Sequence, residues 1–294
     1  MRISVIICTH NRAGSLRRTL HSLTTQTLPR SEFEVLVVDN ASTDDTQQVV
    51  GSFVDLPVRS IFESVLGLSH ARNTGWQSAS SPYVAFLDDD AEAAPNWLVS
   101  LLETFEAHPE QEIVVGGRVT PVFPHPKPNW LDGSLLFCVG QLDVGRSTMT
   151  LNTTGFYLPG CNIAFLRSTL GHYGGFPTTL GRTGSDLLSG EEILLQQKIK
   201  SGGGSILYTD AARVKHHVDG ARLKKMWFVR RMYWEGVTSK KLEVLAGVDT
   251  AFTTELKAFM RQIFSFGFLF KARFTDVCTA AKRIGRMVEC IRPY

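Results

Sequence analysis

Three consecutive aspartates, Asp88-Asp89-Asp90, follow the apolar run Tyr83–Leu87. Adjacent carboxylates repel one another, so a compact cluster is tolerated best where it meets a cation. Oxygen donors with no His/Cys cluster in the local sequence favour a hard ion such as Mg2+ or Mn2+. Such ions commonly bridge protein carboxylates to diphosphate oxygens. Two further polar clusters end apolar runs in the same way: Thr9–Arg12 after Ile3–Cys8, and Asp39–Asp44 after Glu34–Val38. A polar residue often just begins a loop, which explains one such site more easily than three. The chemistry expected from this edge is metal-assisted binding of a diphosphate.

Strands must carry these clusters. Ile3–Cys8, Glu34–Val38 and Tyr83–Leu87 read as strands, the first two as buried runs, and Val58–Phe62 and Glu112–Val119 as two more. Between them, Leu16, Leu20 and Leu23 fall at helical spacing, with Ser15 available as a cap. A short helix is expected after Asp44, another over Leu68–Ala79, and one running from Pro95 in its first turn to Phe105. This alternation predicts an α/β fold: a mostly parallel central sheet flanked by helices, binding ligand at the strands' carboxyl ends. Four prolines between Pro121 and Pro128 predict a loop-rich insertion over 120–160. Gly190–Ile199 reads as a helix and Ser205–Tyr208 as a short strand. After Val218 the pattern is helical and basic to the end.

The 294 residues, 43% of them hydrophobic and 20% charged, argue against a disordered chain. Five cysteines without a C-x-x-C exclude a zinc ribbon and argue against a disulfide scaffold, so a reducing, cytoplasmic compartment is expected. The opening apolar run stops at Thr9, too early for a signal peptide, and Ile263–Phe270 is too short to span a bilayer. The net charge of +3 hides a division. Residues 1–212 carry 14 Lys and Arg against 21 Asp and Glu, whereas residues 213–294 carry 17 against 7. A basic C-terminal region predicts an anionic partner, but no recognised nucleic-acid module is present, so no nucleic acid is expected. Phe259, Phe264, Phe266, Phe268 and Phe270 cluster beside Arg261, Lys271 and Arg273. They read either as an interfacial helix in peripheral contact with an anionic membrane or as helices packed on the catalytic part with basic outer faces.

Further motifs follow in order: Gly67-Leu68-Ser69-His70-Ala71-Arg72-Asn73, Gly160-Cys161-Asn162, Gly174-Gly175-Phe176, Ser189-Gly190-Glu191-Glu192 and Val214-Lys215-His216-His217. With the three strand ends, this ordered set resembles a family 2 glycosyltransferase of the inverting, non-processive kind. The resemblance implies a GT-A fold over 1–217, with a Rossmann-like nucleotide-sugar-binding half at 1–119 and an acceptor-side half at 120–217. A basic, Phe-rich helical region at 218–294 follows. It implies that Thr9, Asn11, Arg12, Asp39, Arg72, Asn73, Asp88 and Asp89 bind the nucleotide-sugar donor. Asp39 has a physical reason to do so, since a carboxylate accepts the imide N–H of uracil; it equally suits a turn with Asn40. Arg72 suits base stacking or phosphate contact, or an exposed helix face. The resemblance further implies Mn2+ or Mg2+ held by Asp90 and Asp88, with His216, or else His217, helping. Glu192 is the implied catalytic base, with Glu191 as alternative, although Ser189 to Glu192 also fits a capping box. Cys161 and Asn162 are implied on the side of a glycan or lipid-linked acceptor. Trp130 and Phe137, in the proline-rich stretch, could stack on a sugar or simply pack in a core. A nucleotidyltransferase or a dinucleotide enzyme would need a Gly-rich loop after the first strand, which Thr9–Gly14 does not supply.

Overall fold

The computed structural model describes residues 1–109, 112–184, 186–248, 250–264 and 273–292. Phe266, Phe268, Phe270 and Lys271 lie outside the described residues. The chain divides into two compact units. The first comprises Met1–Val122, Gly140–Thr179 and Glu191–His217; the second comprises Phe123–Val139, Leu180–Gly190 and Val218–Tyr294. The proline-rich stretch expected as one insertion is thus shared, 123–139 going to the second unit and 140–160 to the first.

The first unit is built on β1 (Ile3–Thr9), β2 (Phe33–Asp39), β3 (Val58–Phe62), β4 (Tyr83–Phe86), β5 (Ala91–Ala93), β6 (Ile113–Val122), β7 (Met149–Thr150), β8 (Ile163–Leu166) and β9 (Ser205–His217). They form one sheet in the order β3-β2-β1-β4-β8-β6-β9-β5, with β7 alongside β9. β3, β2, β1 and β4 run parallel, whereas β8 is antiparallel to β4 and β6. Strand order reverses at β1, which lies between β2 and β4, and a crevice outside strand ends at such a reversal is where ligands bind in open α/β sheets. Successive side chains of β1 enter different cores, Val5 and Ile7 one and Ile6 the other, so the sheet is covered on both faces.

Helices α1 (Ala13–Thr24), α2 (Thr46–Gly51), α3 (Leu68–Gln77), α4 (Trp97–Glu106), α5 (Arg167–His172) and α6 (Glu191–Ser201) complete this unit. Two expected helix starts need correction. Ser15 lies inside α1 and caps nothing; the amide of Ala13 donates instead to Asp44 Oδ2 (2.9 Å), because the loop after β2 returns over the start of α1. Pro95 precedes α4, whose cap is Asn96, and uses its carbonyl to accept from the amide of Thr27. β9 extends far beyond the expected Ser205–Tyr208. Between the pairs Gly117–Thr209 and Val119–Val214, β6 advances two residues and β9 five. This bulge lets β9 continue to His217.

The second unit contains α7 (Lys225–Leu245), α8 (Phe252–Phe264) and α9 (Phe274–Cys290). α7 and α9 cross closely at glycines: a Cβ on Gly236 would stand 1.9 Å from the Lys282 carbonyl oxygen, and one on Gly285 2.0 Å from that of Tyr233. Phe228, Met232, Cys278 and Ala281 form a core there with Leu131, Leu135 and Cys138. Among the described residues, no helix is long and apolar enough to cross a membrane.

Candidate active site

β4 stops at Phe86, and Asp88–Asp90 turn the chain into β5. β5 pairs antiparallel with the end of β9, which sets Ala91 opposite His216. The amide of His217 donates to the Asp90 carbonyl (2.8 Å), and His216 Nε2 lies 3.1 Å from Asp90 Oδ1. One potential ligand atom from each of Asp88, Asp90 and His216 falls within 4.8 Å of the others. Asp90 and His216 are buried, while Asp88 opens toward solvent. Two carboxylates and an imidazole are a donor set that fits Mn2+ or Mg2+. Of the two histidines, His216 joins the aspartates; His217, on the other side of the strand, pairs with Glu92 (2.7 Å).

Asp89 points inward. Its Oδ2 accepts from the Thr9 hydroxyl (2.8 Å), its Oδ1 meets Arg12 Nη1 (2.9 Å), and its carbonyl accepts from Thr19 Oγ1 (2.9 Å). Arg12 also donates through Nη2 to Asp90 Oδ2 (2.8 Å). Thr9 and Arg12, expected at the donor, thus hold two of the three aspartates. Burial pushes Asp89 up to about 7 and the charge of Asp90 adds to this, while Arg12 pulls the other way. Asp89, expected at the donor, is thus a buried carboxyl with both oxygens engaged by Thr9 and Arg12.

Arg72, in α3, is buried rather than exposed. Its Nη1 donates to Glu191 Oε1 (2.6 Å), and its Nη2 lies 3.4 Å from Asp88 Oδ1. The guanidinium sits 5.4 Å from the centroid of the Phe176 ring. It therefore joins Asp88, in the Asp88–Asp90–His216 cluster, to the start of α6. Glu191 and Glu192 occupy the first turn of α6, where the helix dipole favours carboxylates. The capping box does not form. The Ser189 hydroxyl accepts from Arg231 Nη2 (3.2 Å), and its amide donates to Thr238 Oγ1 (3.3 Å). Glu192 Oε2 is buried without a hydrogen-bond partner among the described residues. Burial, then the charge of Glu191, raises the Glu192 carboxyl to about 8, against the pull of Arg72.

The remaining expected residues divide. Asp39 ends β2 with Oδ1 accepting from the Ser42 amide (2.9 Å) and Oδ2 from Gln47 Nε2 (2.7 Å), so it does form a turn. A carboxylate retains lone pairs beyond two such bonds. Asn11, at φ 53°, ties the first loop to the second through the Thr43 amide (2.7 Å). Asn73 is tied to Phe176: its Oδ1 accepts from the Phe176 amide (2.9 Å) and its Nδ2 donates to the Phe176 carbonyl (2.8 Å). Asn162 is fully buried, with Oδ1 accepting from Trp97 Nε1 (2.8 Å) and Nδ2 donating to the carbonyl of Ala212 (2.8 Å). Cys161 is buried, and burial with the nearby Asp88 and Asp90 charges raises its thiol. Trp130 belongs to the second unit and packs edge-on against Phe228 and Phe274; Phe137 is partly exposed there. Two residues without an assigned role gain one here. Phe176 lies against Arg72, and Gly160 leaves room for it, since a Cβ there would stand 2.2 Å from Nη2. The Gly-Gly-Phe and Gly-Cys-Asn motifs were the available signals.

The comparisons agree with this geometry. The Glycosyl transferase family 2 profile matches residues 4–173. The glucosyl-dolichyl phosphate glucuronosyltransferase of Haloferax volcanii is 29% identical over 83% of this chain and 78% of its own. A mannosyltransferase from Pyrobaculum calidifontis, solved with GDP-Man and Mn2+, superposes with a TM-score of 0.64 at 21% identity, covering 99% of this chain and 87% of that one. S. aureus TarS 1-349 in complex with UDP gives 0.57 at 22%, covering 92% and 75%. The chain belongs to glycosyl transferase family 2 and is a glycosyltransferase of GT-A fold that uses a nucleotide-sugar donor.

Proposed function

We propose that the chain moves a sugar from a UDP-linked donor to a hydroxyl of a lipid-linked or surface-glycan acceptor, inverting the anomeric centre in a metal-dependent reaction. The convergence of Asp88, Asp90 and His216 within 4.8 Å at the sheet's carboxyl edge carries this reading. Asp39 accepts the imide N–H of the base, and the loops at Asn11 and Arg12 border the nucleoside. Mn2+ or Mg2+, held by Asp88, Asp90 and His216, supplies Lewis-acid charge for the departing diphosphate. Glu192 removes the acceptor hydroxyl proton as that oxygen attacks the anomeric carbon from the opposite face. The ion pair of Glu191 Oε1 with Arg72 supports Glu192 as the base, since it commits the neighbouring carboxylate to a guanidinium. A carboxyl raised toward neutrality is also a better proton acceptor than an ordinary one. The lipid-linked acceptor is supported by the name of the Haloferax relative, and UDP by the bound nucleotide of TarS.

The test is release of free nucleoside diphosphate from UDP- and GDP-sugars, with dolichyl-phosphate-linked and soluble acceptors, in Mn2+ or EDTA. Turnover with a UDP-sugar and a lipid-linked acceptor, abolished by EDTA, is expected. Glu192→Gln should keep donor affinity and lose roughly 10²- to 10⁴-fold in kcat. Near-normal turnover would move the base elsewhere.

A further inference from the structure

Within the second unit, α8 and α9 form an antiparallel pair. Gln262 Nε2 donates to the Asp276 carbonyl (3.1 Å), Arg283 Nε donates to Gln262 Oε1 (2.8 Å), and Arg286 Nε donates to Glu255 Oε1 (2.8 Å). These contacts fix the facing sides: Glu255 and Gln262 on α8, Arg283 and Arg286 on α9. From about 60° to about 180° around α8 from Glu255 stand Phe252, Leu256, Met260 and Phe264, all exposed, Phe264 by 69%. About 100° around α9 from Arg283 stand Val277 and Ile284, with Ile291 just past the helix end, again exposed, Ile291 by 67%. Because the helices are antiparallel and both right-handed, these two rotations bring the stripes to one side of the pair. The result is an apolar face two helices wide rather than a scatter of single side chains.

The charges around this face are one-sided. Lys257 and Arg261 are exposed beside the α8 stripe, and Arg273 and Arg292 are exposed at the two ends of α9. The acids of these helices are turned away from it or held. Glu255 is buried against Arg286, Glu289 is buried against Lys241 (2.9 Å), and Asp276 accepts from the Arg273 amide (2.8 Å). A second copy of the chain would bring the same cations against themselves. A water-soluble acidic protein would match the charge but not the width of continuous apolar surface. An apolar face edged by exposed cations matches a bilayer surface, with side chains among the upper acyl chains and ammonium and guanidinium groups at anionic headgroups.

We infer that the α8–α9 pair docks this chain peripherally on an anionic lipid surface, with Phe252, Leu256, Met260, Phe264, Val277 and Ile284 entering the interface. This deepens the lipid-side part of the function proposed above by naming the face that reaches the lipid. It is read independently of catalysis, because vesicle binding needs neither donor nor metal.

The experiment is co-sedimentation of the full chain with phosphatidylcholine vesicles containing 30 mol% phosphatidylglycerol, beside pure phosphatidylcholine, at low and high salt. Turnover on a soluble acceptor is followed in parallel. Binding to the anionic vesicles that weakens with salt is expected. Lys257→Glu/Arg261→Glu should weaken it at least tenfold, since each cation near an anionic surface contributes on the order of fivefold. Leu256→Glu/Met260→Glu should do the same with an unchanged circular dichroism spectrum and unchanged turnover on the soluble acceptor. Absence of vesicle binding by the parent chain overturns the inference. So does undiminished binding by both double variants. A parent dimer that Leu256→Glu/Met260→Glu converts to monomer would assign the face to self-association instead. Vesicle binding with no turnover would leave the docking face standing and remove the proposed reaction; the reverse result would do the opposite.

Discussion

Glu192 illustrates a side chain whose proposed catalytic use and stability cost have one cause. Its carboxyl lies in the first turn of α6 beside Glu191, and burial raises it from the ordinary carboxylate range to about 8. Between those limits the folded state binds a proton that the unfolded state has released. Stability contributed by this group therefore falls as pH rises from about 4.5 to about 8. Glu192→Gln keeps the shape and removes the titration. The variant should match the parent in denaturant unfolding near pH 4 and exceed it near pH 8, by on the order of 1 to 3 kcal/mol. The same group should give kcat/KM of the parent an acid limb centred well above 4.5, because only the ionised form accepts a proton. Equal stability of the two proteins across this range would show that Glu192 ionises as an ordinary carboxylate.

At the scale of elements, the site depends on how β9 runs past β6. Gly117 sits where the register shifts, and a Cβ on it would stand 2.0 Å from the Ala212 carbonyl oxygen and 2.5 Å from that of Thr209. Both obstacles are backbone, so Gly117→Ala must move a strand rather than a rotamer. A loss of roughly 1 to 3 kcal/mol is expected in denaturant unfolding. Because His216 is carried on the displaced part of β9, Mn2+-dependent donor affinity should fall as well. Retention of that affinity would show that the bulge does not set the position of His216. The same bulge explains what the sequence does and does not display. Thr9, Asp39 and Asp88–Asp90 are legible because each ends an uninterrupted apolar run. β9 is legible only to Tyr208, since Asp210 and Arg213 interrupt its pattern and pair with each other across the bulge. β5, at three residues, and β7, at two, are too short to leave a periodic signal. The inward turn of Asp89 and the burial of Arg72 and Asn162 arise with partners far off in sequence, such as Thr9, Glu191 and Trp97, which local spacing does not encode.

For the whole molecule, the opposed charges of the two sequence regions separate two kinds of partner. The carboxylates proposed for the metal and the base all lie in the first unit, while the exposed cations beside the apolar stripes of α8 and α9 lie in the second. Ligand binding to the first unit should therefore register as thermal stabilisation that is independent of the lipid-docking residues. A ligand that binds only the folded state stabilises it by about 2.7 kcal/mol at a hundredfold excess over its Kd. For a chain of this size that corresponds to a rise in melting temperature of about 5 °C. The rise is expected with donor and Mn2+ together and not with donor in EDTA, since diphosphate oxygens alone would face the Asp88 and Asp90 carboxylates without a bridging charge. Should the two units melt in separate steps, the shift belongs to the first. Asp90→Ala should abolish the donor-induced rise, because it removes the carboxylate that joins His216 to the cluster. Lys257→Glu/Arg261→Glu should preserve the full rise. Scanning calorimetry of the three proteins, each with donor in Mn2+ and in EDTA, checks this directly. A metal-independent shift in the parent, or an undiminished one in Asp90→Ala, would place donor recognition outside the Asp88–Asp90–His216 cluster.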